Sequence, residues 1–476
     1  MYNPKVFGWV LASDPTSFAW PTGDFMIRQF LHRVFSRSPR PQEPVVIPFE
    51  THGVSHTRIS TCARKVTKAL QERGFKAFVV GGAVRDLLLG RDPKDFDVAT
   101  DATPEQVRAA FRRSRIIGRR FQIVHCLCGP ETVEVSTFRG PASEVDEEEH
   151  RDAHGRLLRD NVWGTQQEDA LRRDFTINAL FYDPATEQIL DYCDGWEDLQ
   201  KKRLRIIGDP ERRYREDPVR MLRAVRLAAK LGLEIEPATR KPIKPLADLL
   251  QNVPPARLFD EMLKLLLSGH ATESVGKLRE EGLHHGLLPM LDVMLEQPPG
   301  QRFVLLALRK TDERICADKP VSPAFLFAAL LWHEVLKAWK MLQAEGMKPI
   351  PALHEATDQV VSQQSEKLAI PRRFSAPMKE LWALQPRFEV RSGRRPMTLL
   401  AHERFRAGYD FLLLRCESGE VDPDLGEWWT KFQDASGDTR ASMLLPSTRK
   451  PGRRRRPRRR RCVPIAEAVG ETGGEA

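Results

Sequence analysis

The chain lacks any apolar run long enough to cross a membrane. Its longest, Ala324 to Trp332, falls far short of the ~20 residues that a spanning helix needs. It also lacks, at its start, the basic-then-apolar-then-small succession of a secretory leader, so no export signal is expected. Cysteine is sparse. Seven are scattered over 476 residues, an odd number without a framework, which fits a reducing compartment and no disulfides. His125, Cys126 and Cys128 share one strand-like run. A metal centre needs more donors at suitable spacing, so they read as ordinary strand residues. One stretch lacks acidic residues altogether: Arg449 to Arg461 holds ten basic residues and no Asp or Glu. The other 65 Lys and Arg are balanced by 65 Asp and Glu, so the net charge of +10 lies wholly in that tail. Such a tract repels itself, stays disordered, and suits a polyanion bound through counterion release. A solvated tail, a targeting signal and an anionic membrane surface are the alternatives.

What is present is ordinary in bulk. With 41% hydrophobic and 29% charged residues the chain has the composition of a globular protein. It is too long for one core, and two to four domains are expected. The informative stretch is Ala77 to Thr100, A-F-V-V-G-G-A-V-R-D-L-L-L-G-R-D-P-K-D-F-D-V-A-T. Ala77–Val80 reads as a buried strand, Ala83–Leu89 as a helix stopped by Gly90 and Pro93. Asp95-Phe96-Asp97-Val98 reads as a strand with both carboxylates on one face and Phe96 and Val98 in the core. Gly81 and Gly82 let backbone approach phosphate oxygens. Paired carboxylates can hold two divalent ions for attacking and leaving oxygens. An isolated D-x-D or G-G is usually a turn; the ordered combination points to a metal-bound nucleoside triphosphate.

Along the rest of the chain, residues 1–50 read as an extension containing a short basic amphipathic helix near Met26 to Phe35. A helix from Thr103 to about Arg113 has a Thr cap and Pro at its first position. Ile116–Cys128 and Thr132–Arg139 read as two strands parted by Gly129-Pro130. On the second, Glu134 is either a third carboxylate beside Asp95 and Asp97 or a solvent-facing edge residue. Ala142–Arg156 is acidic and aperiodic, a mobile loop. Arg172-Arg173-Asp174 offers two guanidiniums for triphosphate or ribose oxygens, with Asp174 orienting an Arg or lying near a hydroxyl; a salt-bridged helix N-terminus is the bland alternative. Tyr214 to Arg226 reads as one helix with Pro218 in its first turn and Glu216, Asp217 and Arg220 on one face. An Asp and an Arg held so can read a base edge, although taken alone these residues are better explained as surface ion pairs. From Leu222 to the 430s the pattern is helical without a strand block. Its tryptophans, including Trp332, Trp382 and Trp429, read as core.

Taken in order, G-G-A-V-R-D, P-K-D-F-D-V-A-T, R-R-D-F-T-I-N-A-L and R-E-D-P-V-R-M-L-R-A-V-R resemble the class II nucleotidyltransferases, the bacterial poly(A) polymerases and CCA-adding enzymes. The motifs span about residues 77–230. Ile116-Ile-Gly-Arg-Arg-Phe, Leu158-Arg-Asp-Asn, Ser322-Pro-Ala-Phe-Leu-Phe-Ala-Ala and the Arg-rich end are more similar to the poly(A)-adding members. The resemblance implies an α+β nucleotidyltransferase head, a small mixed sheet with helices, followed by a long all-α neck and body and a disordered basic tail. The expected divisions are 1–50 extension, 51–195 head, 196–255 nucleotide-recognising neck, 256–440 RNA-binding body and 441–476 tail. It implies template-independent addition of AMP from ATP to RNA 3′ ends, linked to mRNA processing and decay. Two Mg²⁺ ions would lie on Asp95 and Asp97, with Asp174 as a further active-site acid. Gly81, Gly82, Arg85 and Arg173 would hold the nucleotide's phosphates and ribose, and Asp217 with Arg220 the adenine edge. The implied setting is a cytoplasmic monomer without a membrane span, with RNA-decay or RNA-chaperone proteins as partners. The alternatives are a CCA-adding enzyme, which would accept CTP on tRNA, and a catalytically idle RNA-binding module.

Overall fold

Strand β2 (Ala77–Val80) is buried at all four residues, as expected for a central strand. It lies inside an eight-stranded sheet formed with β1 (Val45–Ile47), β3 (Asp97–Thr100), β4 (Ser114–Ile117), β5 (Ile123–Cys128), β6 (Glu131–Thr137), β7 (Leu180–Asp183) and β8 (Gln188–Asp191). The order is β1-β8-β7-β2-β3-β6-β5-β4. All neighbours are antiparallel except β3 and β6. This computed structural model describes residues 43–118, 122–140, 162–284 and 298–446. The N-terminal helix near Met26, the acidic loop at 142–156 and the Arg-rich tail lie outside the described residues.

Contacts divide the chain into two units, Met1–Arg220 with Leu231–Leu246 and Met221–Lys230 with Ala247–Ala476. The first carries the sheet. Phe78, Val80, Ala99, Phe138, Ala170, Ala179, Phe181 and Ile207 form an apolar cluster on it. The second is helical throughout its described part, with Leu384, Phe388, Phe405, Tyr409, Trp429 and Phe432 in one of its cores. Trp332, Trp382 and Trp429 are fully buried, as the sequence indicates, whereas Trp339 and Trp428, also read as core, are only partly buried. Among the described residues no helix is long and apolar enough to cross a membrane.

Local chemistry accounts for the helix starts around the sheet. Pro104–Ala110 opens on a reciprocal capping box between Thr103 and Gln106, and Gln166–Arg172 on another between Thr165 and Glu168. The first ends at Ala110, short of the expected Arg113, because Phe111 turns extended.

Four expectations need correction. The strand around Asp97 begins at Asp97, not Asp95, although Phe96 and Val98 are buried as expected. Ile116–Cys128 is not one strand, because β4 ends at Ile117, Gly118 takes φ +90°, and β5 (Ile123–Cys128) pairs back antiparallel to β4. Tyr214 to Arg226 is two helices, Pro210–Glu216 and Val219–Leu231, with Asp217 extended between them at φ −148°, ψ 92°. The ring of Pro218 disfavours helical backbone at the residue before it. Finally, Cys62 and Cys128 form a disulfide across 66 residues, with Cα atoms 5.6 Å apart. Helix Thr61–Gln71 packs on β5 and brings together two cysteines whose spacing in the sequence signals nothing.

Candidate active site

Register assembles the site at one end of the sheet. Val80, the last residue of β2, pairs with Asp97, the first of β3, so the Gly81-Gly82 turn begins beside the carboxylates. On the other side of β3, Asp97 pairs with Glu134 of β6. β6 lies between β3 and β5, so Glu134 is on an interior strand and not an edge. Its Oε1 lies 3.3 Å from His125 Nε2, the residue opposite it on β5. Asp95 and Asp97 are both exposed while Phe96 and Val98 between and after them are buried, so the pair looks outward from the core.

The glycine turn is closed in from behind. Gly81 has φ +73°, a conformation L side chains rarely adopt, and a Cβ there would lie 3.3 Å from Arg173 Nη1. Gly82 opens helix Gly82–Leu88, and a Cβ on it would lie 3.3 Å from Arg85 Nη2. Arg85 is buried beneath the turn, donating from Nη1 to Asn178 Oδ1 (2.5 Å) and from Nε and Nη2 to Asp86 Oδ1 (2.8 and 2.6 Å). Its guanidinium therefore braces the turn from below.

Arg172 and Arg173 stand at the C-terminal end of helix Gln166–Arg172, not at a helix N-terminus. Arg172 donates to the Gly140 carbonyl. Arg173 lies over the Phe181 ring, 5.2 Å from its centroid, and pairs with Asp169 (2.9 Å). Asp174 is buried; its Oδ1 accepts from the Phe175 N–H (2.8 Å) and from Asn178 Nδ2 (3.0 Å). Asn178 thus joins Arg85 to Asp174, and its carbonyl also accepts from Arg173 Nη1 at 3.3 Å. Neither Asp169 nor Asn178 was singled out from the sequence. The signal was there in the i, i+4 spacing of Asp169 and Arg173.

Asp217 and Arg220 flank the helix break. Asp217 Oδ1 accepts from the Val219 N–H (3.3 Å), and the Arg220 N–H donates to the Asp217 carbonyl (3.1 Å). Arg220 Nη1 donates to the Arg213 carbonyl (2.7 Å) and to Glu216 Oε2 (3.2 Å). Glu216, Asp217 and Arg220 are therefore brought together although no single helix carries them.

The electrostatics mark the carboxylate end. Asp97 is pushed up to about 6, first by burial and then by the Glu134 charge, with Arg173 opposing and Asp95 adding. A carboxylic acid raised this way weakens the fold as pH rises from about 4 through 6, because the unfolded chain binds fewer protons than the native one. Asp97 remains solvent-accessible, which reduces the effect. Asp97→Asn should therefore stabilise the metal-free protein by roughly 1 kcal/mol at pH 8 and by almost nothing at pH 4. Thermal melts at the two pH values check this; equal shifts at both would remove the like-charge account. Among the described residues, no three His, Cys, Asp or Glu side chains form a ready metal cage. The donors that do converge are hard carboxylates, and their mutual repulsion is relieved by a cation. This set suits Mg²⁺, which keeps most of its ligands as water and phosphate oxygens.

Comparison with known proteins adds to this geometry. Models of a poly A polymerase head domain, of a probable RNA and SrmB-binding site of polymerase A, and of the polymerase A arginine-rich C-terminus match residues 77–205, 232–295 and 345–462. Poly(A) polymerase I of Salmonella typhi is 44% identical over 460 residues, covering 93% of this chain and 99% of that one. The chain belongs to the poly(A) polymerase I family. The Haemophilus influenzae family member is 42% identical over 444 residues, with 91% and 98% coverage. A CCA-adding enzyme of Bacillus licheniformis is a more distant relative, 34% identical over 298 residues and covering 62% of this chain and 70% of that one. In fold, the family's architecture here is similar to the Thermotoga maritima CCA-adding enzyme solved with a tRNA. The TM-score is 0.55 at 17% identity, covering 86% of this chain and 92% of that one.

Proposed function

We propose that this member of the family extends RNA 3′ ends with AMP from ATP, without a template, releasing pyrophosphate. The observation that carries the reading is the register Val80–Asp97–Glu134, which sets a glycine turn, two outward carboxylates and Arg173 around one point. The near full-length likeness to poly(A) polymerase I supports adenylate over the C-C-A alternative.

In this reading Asp95 and Asp97 would hold two Mg²⁺ ions, which when bound would lower the pKa of the RNA 3′-hydroxyl and neutralise charge on the pyrophosphate leaving group. The Gly81-Gly82 turn lets backbone close on the triphosphate, with Arg85 bracing it and Arg173 supplying charge to its oxygens. Asp174, through Asn178, fixes both arginines. Asp217 and Arg220 present one acceptor and several donors to the adenine edge. Since the protein forms no covalent intermediate, positioning and electrostatics carry most of the rate. We place the reaction in the cytoplasm, with RNA-decay or RNA-chaperone proteins as the partners its product calls for.

Incubating the purified protein with a generic RNA, Mg²⁺ and each nucleoside triphosphate in turn tests this. A long A-only extension is expected; CTP addition to tRNA lacking its end would favour the CCA alternative. The Arg449–Arg461 tail is assigned to the RNA backbone. Its deletion should weaken RNA binding and flatten the dependence of log Kd on log salt by several units. An unchanged slope would remove the tail from the interface.

A further inference from the structure

One row of polar side chains crosses the outer strands and ends at the carboxylates. Register sets Arg115 of β4 opposite His125 of β5, His125 opposite Glu134 of β6, and Glu134 opposite Asp97 of β3. Directly paired residues point the same way, so the four share one face of the sheet. Their chain neighbours Val124, Cys126, Val133, Val135 and Val98 are buried on the other face. Helices Thr61–Gln71 and Pro104–Ala110 pack on these strands, and the Cys62–Cys128 bond fixes the first of them to that buried side. On the row's own face Arg115, Glu134 and Asp97 are exposed and His125 is partly covered. Charge changes sign along it. Asp97 and Glu134 make the anionic end, His125 Nε2 lies 3.3 Å from Glu134 Oε1, and Arg115 closes the row as a cation on the edge strand.

From this geometry we infer that the open face is the approach of the RNA primer, with Arg115 holding the phosphate of its last internucleotide linkage. The primer must bring its 3′-hydroxyl to Asp95 and Asp97, yet its phosphates are repelled by those carboxylates and by Glu134. A cation set back from them along the sheet resolves the conflict. Neighbouring strands are ~4.8 Å apart, so three spacings put the Arg115 backbone about 14 Å from that of Asp97. An arginine side chain and one terminal nucleotide fill that span together. His125 stands between Glu134 and the passing backbone. A guanidinium on phosphate is a charge-assisted, two-pronged contact that fixes position without reading sequence, which suits an enzyme that extends RNA ends in general. The inference rests on the nucleotide reading above and deepens it by placing the second substrate.

The test is steady-state AMP addition by the full chain to one short RNA, and to the same RNA with an uncharged methylphosphonate at its last linkage alone. For the wild type the methylphosphonate should raise KM for RNA by about tenfold, the loss of one charge-assisted contact. Arg115→Gln should raise KM for the ordinary RNA by a similar factor and leave KM for ATP unchanged. It should also lower the slope of log Kd for RNA against log salt by about 0.7, the share of one phosphate on a single strand. The two RNAs should then differ by less than about twofold in Arg115→Gln, because protein charge and RNA charge report one contact. Arg108→Gln is the control, an exposed arginine on helix Pro104–Ala110, and should keep the full methylphosphonate penalty. A merely structural Arg115 would leave that penalty intact in Arg115→Gln, and this additive result overturns the inference. So does a wild type indifferent to the methylphosphonate. A wild type that adds no AMP to the ordinary RNA would instead overturn the nucleotide reading itself, and the two failures are distinct.

Discussion

Asp95→Asn and Asp97→Asn should each cut AMP incorporation by about a thousandfold or more while leaving the fold intact. A loss of that size corresponds to about 4 kcal/mol of transition-state stabilisation, the scale of a metal centre deprived of a ligand. Nothing in the packing opposes the substitutions, because both side chains face outward from β3 and the turn before it while Phe96 and Val98 hold the core. Asp97→Asn should even melt slightly higher at neutral pH, which separates lost chemistry from lost structure. Retention of near wild-type turnover by either variant would contradict the two-carboxylate assignment.

The second large effect is on stability and comes from a residue with no chemistry of its own. Gly195 opens helix Gly195–Gln200, and a Cβ on it would lie 2.2 Å from the Thr176 carbonyl oxygen and 2.8 Å from its carbon. Both are backbone atoms, so neither can swing aside. Thr176 is pinned in turn, its N–H on the Arg205 carbonyl and its hydroxyl on the fully buried Asp198. Gly195→Ala should therefore destabilise the protein by about 3 kcal/mol. It should also disturb the Thr176–Asn178 turn, and with it Arg85 and Asp174. Gly276→Ala is the matched control: that glycine lies inside helix Ala271–Glu280 with nothing within 4 Å of a new Cβ. It should be neutral or stabilising by up to about 1 kcal/mol. Chemical denaturation of both variants decides; equal midpoints would dismiss the close approach at Gly195.

These two cases mark where the sequence is legible and where it is not. The D-x-D face, the glycine turn and the capped helix at Thr103 follow from local rules, and the structure has them within three residues. The pairing of Glu134 with Asp97 is a matter of strand order, which alternation alone leaves open. The break at Asp217-Pro218 is hard to see from periodicity, because the seven-residue helix Pro210–Glu216 buries Tyr214 alone and sets no apolar period of its own. The proline's constraint on its neighbour was the missed signal. Gly195 and the Cys62–Cys128 bridge act through contacts with partners 19 and 66 residues away. Such contacts leave no local periodicity to read.

The most direct test of the account follows the phosphorus. RNA bearing a 3′-hydroxyl is incubated with the wild-type protein and Mg²⁺, and with ATP labelled at either the α or the γ phosphate. The account predicts α-label in the RNA in one-to-one ratio with released pyrophosphate, no γ-label in the RNA, and no reaction on RNA ending in a 3′-phosphate. Transfer of γ-label to RNA, or extension of the 3′-phosphate substrate, would contradict it.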